Sequence, residues 1–320
     1  MQFTTPIPIL KSNFPIDYHS KVLSLGSCFA VNIAEKLDYF KFQNTVNPFG
    51  ILFHPLAIEK FLGFAANEKQ FAESDIHFHN EHWFSFDAHS DLNQTDKHQL
   101  FQNLNQKVSE TTEQLTKASH LIITLGTAWV YQHVASREIV ANCHKIPQKQ
   151  FKKELLSVDK IQKSLRNIIG LVSKINPSIH IIFTISPVRH IKDGFVENQW
   201  SKSNLIAALH EIVSQSRSFW TNFVHYFPSY EIMMDELRDY RFYAEDMIHP
   251  NQTAIDYIWK RFSETWISES VVPVIEQVSG IQKSLSHRPF HPNSESHQLF
   301  VSKLNQQIQQ LQKQFPHFDF

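Results

Sequence analysis

The chain has 320 residues, 42% of them hydrophobic and 19% charged, so it can bury a sizeable core and is not a disordered polymer. Its net charge of −1 gives no electrostatic reason to expect binding to nucleic acid or to an anionic membrane. Two cysteines do not make a disulfide framework in a chain of this length. Because no secretion signal and no apolar run of roughly 20 residues stands out, we expect a cytoplasmic protein.

Short apolar runs that predict buried strands alternate along the chain with segments of helical spacing. In chain order we predict a strand at 21–25, helices at 29–37 and 56–66, a strand or hairpin at 77–86, a helix at 96–117, a strand at 121–125, a hairpin at 129–134 and 137–140, a helix at 157–175, a strand at 179–185, a helix at 199–221, a strand at 224–227, and helices at 250–266 and 294–314. This alternation predicts an α/β protein with a doubly wound, mostly parallel sheet.

The last fifty residues differ in character from the rest. They hold a short apolar patch at 271–275 and then a glutamine-rich helix at 294–314. We therefore predict an α/β domain over residues 1–268 and a helical C-terminal extension over residues 269–320. The extension is predicted to be a packing arm or a helix for oligomerisation.

The first chemically suggestive residues follow the first predicted strand. In doubly wound proteins, ligands bind at the carboxyl ends of the parallel strands. Gly26 permits a tight turn into the next helix, which starts near Ser27 and Cys28. A helix N-terminus offers free amides and a positive dipole end, which suit a developing oxyanion and lower the pKa of a thiol. The alternative is a buried Cys28 with Ser27 as a helix cap, and on the tripeptide alone this alternative is favoured.

A second suggestive group precedes the predicted helix at 250–266. Pro250 suits the first helical position and pushes His249 to an extended backbone. Asp246 lies three residues before His249, close enough to accept a hydrogen bond from the imidazole. Such a carboxylate fixes the tautomer of a catalytic histidine and stabilises the imidazolium. The alternative is a capping aspartate beside a surface histidine.

Taken together, the two groups have the layout of the SGNH/GDSL hydrolases, and the sequence closely resembles the GSCFA family, which is named for a motif matching residues 26–30. Other stretches that resemble this family are 47–50, 124–129, 142–145, 186–190 and 227–231. The resemblance extends from the N-terminus through the helix after His249, so residues 1–268 read as the catalytic domain. It implies a flavodoxin-like, three-layer fold with an esterase or acyltransferase site.

The sequence departs from the wider SGNH/GDSL pattern at two places. Cys28 falls at the position of the usual serine nucleophile, and Ser27 at that of the preceding aspartate. We predict Cys28, Ser27, His249 and Asp246 as the catalytic residues. The oxyanion-binding asparagine is missing from the block that here reads 126–129. Three groups are alternatives for binding the oxyanion instead: the Thr127 hydroxyl, the Trp129 indole and the Gly50 amide.

Further residues near the predicted strand ends are candidates for substrate binding. They are Gly50, Gly126, Thr127, Trp129, Ser186, Arg189, His190, Cys143 and His144. Arg189, His190 and Lys192, which follow the third predicted central strand, suit an anionic group of donor or acceptor; the alternative is that they are solvated charges on a loop. Cys143 and His144 pair a thiol with an imidazole, but two ligands do not make a zinc site, so we predict a pocket wall and no metal.

The resemblance implies an ester hydrolase or O-acyltransferase that acts on an acylated sugar or small metabolite through an acyl-enzyme. A cysteine nucleophile favours transfer from an acyl-thioester donor, whereas a serine favours hydrolysis. No other cofactor is predicted, and the expected partner is a small-molecule or saccharide acyl ester. The alternatives are a non-catalytic ligand-binding module of the same fold, and an assembly protein that uses its C-terminal helix.

Overall fold

A five-stranded parallel sheet forms the centre of the computed structural model, which describes residues 4–219 and 223–320. Its strands are β1 (Lys21–Gly26), β2 (Gln43–Val46), β5 (His120–Leu125), β9 (His180–Ile185) and β10 (Val224–Phe227), in the order β10-β9-β5-β1-β2. The connections between these strands hold further β-structure. β3 (His77–His79) and β4 (His82–Phe84) form a hairpin, and β6 (Trp129–His133), β7 (Ile139–Val140) and β8 (Phe151–Leu155) form an antiparallel sheet.

Helices cover both faces of the parallel sheet. They are α1 (Cys28–Tyr39), α2 (Pro55–Ala66), α3 (Lys97–Lys117), α4 (Val158–Ile175), α5 (Phe195–Phe219), the short α6 (Ser229–Glu231), α7 (Gln252–Trp266), α8 (Val272–Ser286) and α9 (Glu295–Gln314). One face packs against α2 to α5, and the other against α1, α7, α8 and α9. The predicted α/β, flavodoxin-like three-layer fold is confirmed.

Burial on both faces explains why the central strands read as continuous apolar runs. All six residues of β5 are buried, with Ile123 facing one helical layer and Ile122 the other. The edge strand β2 was not predicted, because its residues are polar and only partly buried. Neither β8 nor α8 was predicted. The predicted helix at 199–221 begins earlier, at Phe195, and residues 220–222 lie outside the described part of the chain.

The C-terminal extension packs against the segment that precedes β1. The Tyr18 ring stacks on Phe42 at a centroid distance of 4.6 Å, and Phe315 and Phe318 each lie 4.9 Å from Tyr18. All four rings are buried. These contacts fit a packing arm, while oligomerisation and the domain division stay predictions. No helix within the described residues is long and apolar enough to cross a membrane.

Candidate active site

A strained turn joins β1 to α1 and fixes the start of the helix. Gly26 has φ +128°, and a Cβ atom there would lie 2.1 Å from the Thr124 carbonyl oxygen, so only glycine fits. The Gly26 amide donates to Asn47 Oδ1 at 2.8 Å, and the Ser27 amide donates to the Thr124 oxygen at 3.0 Å. The turn is thus held from both neighbouring strands, and α1 begins at Cys28.

Ser27 and Cys28 have different surroundings although they are adjacent. Ser27 is fully buried at the N-cap of α1, and its hydroxyl has no hydrogen-bond partner among the described residues. Cys28 is partly exposed and lines a cavity at the carboxyl ends of the strands. Of the two candidate nucleophiles, Cys28 is therefore the one that borders space for a substrate.

Opposing influences act on the Cys28 thiol. Burial raises its pKa, whereas the positive charge of Lys202 and the backbone N–H groups of Cys28 and Phe29 lower it, and burial is the largest of these effects. The cysteine is consequently a thiol at rest at neutral pH, and a base is needed to make the thiolate.

Lys202 is a residue of this site that sequence analysis missed. It lies on α5 with 1% of its surface exposed, and its Nζ donates to the Gly126 and Ser186 carbonyl oxygens at 2.7 Å each. Burial lowers its pKa to about 7. The pattern that would have revealed it is helical spacing, since Lys202 is three residues before Leu205 on the buried stripe of α5.

Asp246 and His249 form the pair that their spacing predicted. Asp246 Oδ2 accepts a hydrogen bond from His249 Nδ1 at 2.6 Å, while Oδ1 accepts the amides of Ile248 at 2.8 Å and His249 at 3.0 Å. These bonds lower the pKa of Asp246 to about 2, so it is a carboxylate at neutral pH. With Nδ1–H directed at Asp246, Nε2 of the neutral ring carries the lone pair.

One cavity of about 650 Å³ brings many of the predicted residues together. Those that line it are Cys28, Thr127, Trp129, Cys143, Arg189, His190, Asp246 and His249. Phe53, His54, Tyr131 and Asp193 also line it and were not predicted. The volume lies within the usual range for small-molecule sites.

The remaining predicted residues lie outside the cavity lining. Gly126 and Ser186 accept hydrogen bonds from Lys202. Gly50, with φ +72°, uses its amide in a turn to the Asn47 oxygen at 2.7 Å. His144 stacks on Phe84 and donates from Nε2 to the Ser85 oxygen at 2.9 Å, and burial lowers its pKa to about 4.

Two of the predicted oxyanion donors line the cavity but already have partners. The Thr127 hydroxyl shares a hydrogen bond of 3.0 Å with the Ser201 hydroxyl. The Trp129 indole donates to the Glu197 carbonyl oxygen at 3.2 Å. A substrate would have to displace these bonds to use either group.

The polar side chains along the cavity wall differ in charge. Arg189 donates to the Met247 carbonyl oxygen at 3.0 Å and lies over three aromatic rings, 5.4 to 5.6 Å from their centroids. Burial lowers the pKa of His190 to about 3, so its ring is neutral, and burial raises the pKa of Cys143 to about 11. Of the three residues predicted to hold an anionic group, Arg189 and Lys192 thus remain as basic side chains that line the cavity.

Metal ligands are not grouped in the part of the chain that the structure describes, since no three His, Cys, Asp or Glu side chains there are arranged to hold an ion. The cavity residue His54 is hydrogen-bonded within the protein. Its Nδ1 accepts the Ala57 amide at 3.1 Å and its Nε2 donates to the Val140 oxygen at 3.1 Å. Both ring nitrogens are therefore committed to the protein.

Comparison with known proteins gives one clear result. The family model described as "GSCFA family" matches residues 21–262, and the one described as "GSCFA domain protein, C-terminal domain" matches residues 278–320. No protein with a curated description matches. A solved structure described as "a putative platelet activating factor from Streptococcus pneumonia" is 11% identical, with a TM-score of 0.39 over 77% of this chain and 83% of the other. A likeness this distant carries no functional information.

Proposed function

The chain belongs to the GSCFA family, and on this premise we propose that it is an enzyme that hydrolyses or transfers an O-acyl ester through a covalent acyl-enzyme on Cys28. One observation carries the proposal: a thiol at a helix N-terminus and a carboxylate-oriented imidazole line the same cavity. Kinship with the SGNH/GDSL hydrolases is part of the proposal, and the strand order of the sheet supports it.

In the first half of the reaction, His249 is the general base. Its Nε2 takes the proton of the Cys28 thiol, and the sulfur attacks the ester carbonyl carbon. Asp246 accepts the Nδ1–H bond throughout and stabilises the imidazolium. As the tetrahedral intermediate collapses, the C–O bond breaks and the alcohol leaves with the proton from Nε2.

The free amides at the start of α1 are the proposed oxyanion donors. The N–H groups of Cys28 and Phe29 are the first two of α1, and both lower the pKa of the Cys28 thiol. Amides in this position also carry the positive end of the helix dipole. This role leaves the internal bonds of Thr127 and Trp129 intact.

In the second half of the reaction, His249 activates the acceptor. A water molecule gives hydrolysis and the free acid, whereas a sugar or metabolite hydroxyl gives transfer and a new ester. The proton goes to Nε2 and then to the Cys28 sulfur as the C–S bond breaks. A thioester donor would load Cys28 by the same exchange, with a thiol leaving in place of the alcohol.

A second candidate is a ligand-binding module that keeps the fold without the chemistry. Two observations favour it: burial raises the pKa of Cys28, and the cavity donors of Thr127 and Trp129 have internal partners. Such a module would bind an acyl ester in the cavity and release it unchanged.

Turnover of p-nitrophenyl acetate separates the two candidates. We expect Cys28→Ala and His249→Ala to lose nearly all activity, because each removes a group that the covalent step requires. The matched control is His291→Ala, an exposed histidine of the C-terminal extension, which should keep the wild-type rate. Saturable binding of the ester without turnover in the wild type would instead establish the binding module.

A further inference from the structure

Lys202 is a buried amine whose place in the fold the proposed mechanism does not use. Because burial lowers its pKa to about 7, it carries a positive charge at and below neutral pH. Its Nζ bridges the residues that follow β5 and β9, through the Gly126 and Ser186 carbonyl oxygens at 2.7 Å each. The Tyr230 ring lies beneath it, with a centroid distance of 5.7 Å. Gly126 in turn abuts Ser27, since a Cβ on that glycine would lie 3.0 Å from Ser27 Cβ. The ammonium is thus held next to the turn that presents Cys28.

The charge of Lys202 lacks the usual compensation. A fully buried ammonium is costly unless an anion accompanies it, and both hydrogen-bond acceptors here are neutral carbonyls. Among the described residues, the group that raises the pKa of Lys202 is Cys28, and it does so only as the thiolate. The compensating anion is therefore one that exists only when Cys28 loses its proton.

From this geometry we propose, on the basis of the proposed function, that Lys202 is a positioning residue that stabilises the Cys28 thiolate with its buried positive charge. It holds the charge at a fixed place, because two of its three N–H groups are committed to the strand ends. The stabilisation acts on the nucleophile in each half-reaction, whenever the sulfur is an anion.

The other ionisable groups facing Lys202 stay neutral in the working range. His190, after β9, has its pKa lowered to about 3 by burial, with the charge of Lys202 as the next largest cause. Tyr230, on α6, has its pKa raised by burial. Cys28, on α1, is the remaining partner, and its ionisation raises the pKa of Lys202 in return. The two groups therefore titrate as a coupled pair.

The direct test is the pH dependence of Cys28 alkylation by iodoacetamide, followed by peptide mass spectrometry in the wild type and in Lys202→Met. Methionine keeps the length of the side chain and removes the charge. Because the charge of Lys202 is present only up to about pH 7, the two proteins are compared at pH 6 to 7, where alkylation of Cys28 should slow about tenfold when the charge is removed. An unchanged alkylation rate at this pH in a folded variant overturns the proposal.

Two controls accompany this experiment. Cys143 is an internal one, because its pKa is governed by burial alone and its profile should not move. Asn204→Ala removes a bond of 2.8 Å from the same helix to the Leu156 carbonyl oxygen without removing charge, and should leave the Cys28 alkylation rate at pH 6 to 7 unchanged. A decrease of similar size in Asn204→Ala would mean that loosening of α5, and not charge, causes the effect, and would also overturn the proposal.

A second measurement needs no change at Lys202, in case Lys202→Met does not fold. The Lys202 side chain is titrated by NMR in the wild type and in Cys28→Ser. Because coupling between two sites is reciprocal, the Lys202 midpoint should fall when the ionisable sulfur is gone. Equal midpoints in the two proteins would refute the proposal. Neither test involves an acyl group, so both can succeed even if no acyl-enzyme forms, and both can fail while turnover persists.

Discussion

Replacement of Gly26 by alanine should disrupt the turn between β1 and α1, which presents Cys28, and destabilise the whole domain. The added methyl carbon would lie 2.1 Å from the Thr124 carbonyl oxygen, more than 1 Å short of the ordinary contact distance of 3.4 Å. Strands β1 and β5 pair directly at this point, with Gly26 opposite Thr124. Relief of the clash therefore requires the two central strands to separate.

The cost of Gly26→Ala has two parts. Overpacking in a close-packed core costs about 1–3 kcal/mol. Forcing alanine to φ +128° adds about 1–3 kcal/mol of backbone strain. We therefore expect the free energy of unfolding to fall by about 2–6 kcal/mol, measured as a shift of the urea midpoint.

The matched control for Gly26→Ala is Gly170→Ala. Gly170 lies within α4, where an added Cβ meets nothing within 4 Å, so alanine should stabilise the protein by about 0.5–1 kcal/mol. The two glycines should thus respond with opposite signs. Equal urea midpoints for Gly26→Ala and the wild type would refute the account of the turn.

Three further predictions concern the Asp246–His249 pair, the histidines whose pKa is lowered, and the C-terminal extension. Asp246→Asn should slow ester turnover by two to four orders of magnitude, because the amide no longer fixes the His249 tautomer, and a rate within threefold of wild type would contradict this. The free energy of unfolding should fall as pH drops from about 6.5 towards 4, by roughly 1–3 kcal/mol for each histidine whose pKa is lowered. The reason is that the unfolded chain binds these protons at a higher pH than the folded chain does. A urea midpoint that stays constant over this range would contradict the prediction. These histidines are His54, His120, His144 and His190. Phe318→Ala should lower the free energy of unfolding, measured in urea, by about 3–5 kcal/mol. Phe290→Ala, at a position 96% exposed, should change it by less than about 0.5 kcal/mol. Equal effects of the two variants would contradict the packing of the extension.

The sequence predicted the fold well where burial leaves an apolar pattern. The strands β1, β5 and β9 are apolar because helices cover both their faces. Each of them, like the edge strand β10, was predicted to within about two residues. The edge strand β2 escaped prediction because hydrogen bonds to β1, and not its own polar residues, make it a strand. Pairing of this kind depends on a distant segment, which local periodicity does not record.

The candidate site was predictable only where its residues are close in sequence. Asp246 and His249 lie three positions apart in one turn, so spacing alone suggested their contact. Lys202 on α5 donates to the carbonyl oxygens of Gly126 and Ser186, which follow two neighbouring strands. These three positions are far apart in sequence, and no short motif links them. The hydrogen bonds from Thr127 and Trp129 to residues of α5 could not be predicted for the same reason.

Intact mass after brief exposure to p-nitrophenyl acetate tests the central claim most directly. The account predicts a single acetyl adduct on the wild type that is absent in Cys28→Ala and survives in Cys143→Ala, which controls for indiscriminate acetylation of thiols. Ser27→Ala should keep the adduct too, since Ser27 is buried beneath the cavity wall and does not line it. An adduct that persists in Cys28→Ala would contradict the assignment of Cys28 as the nucleophile.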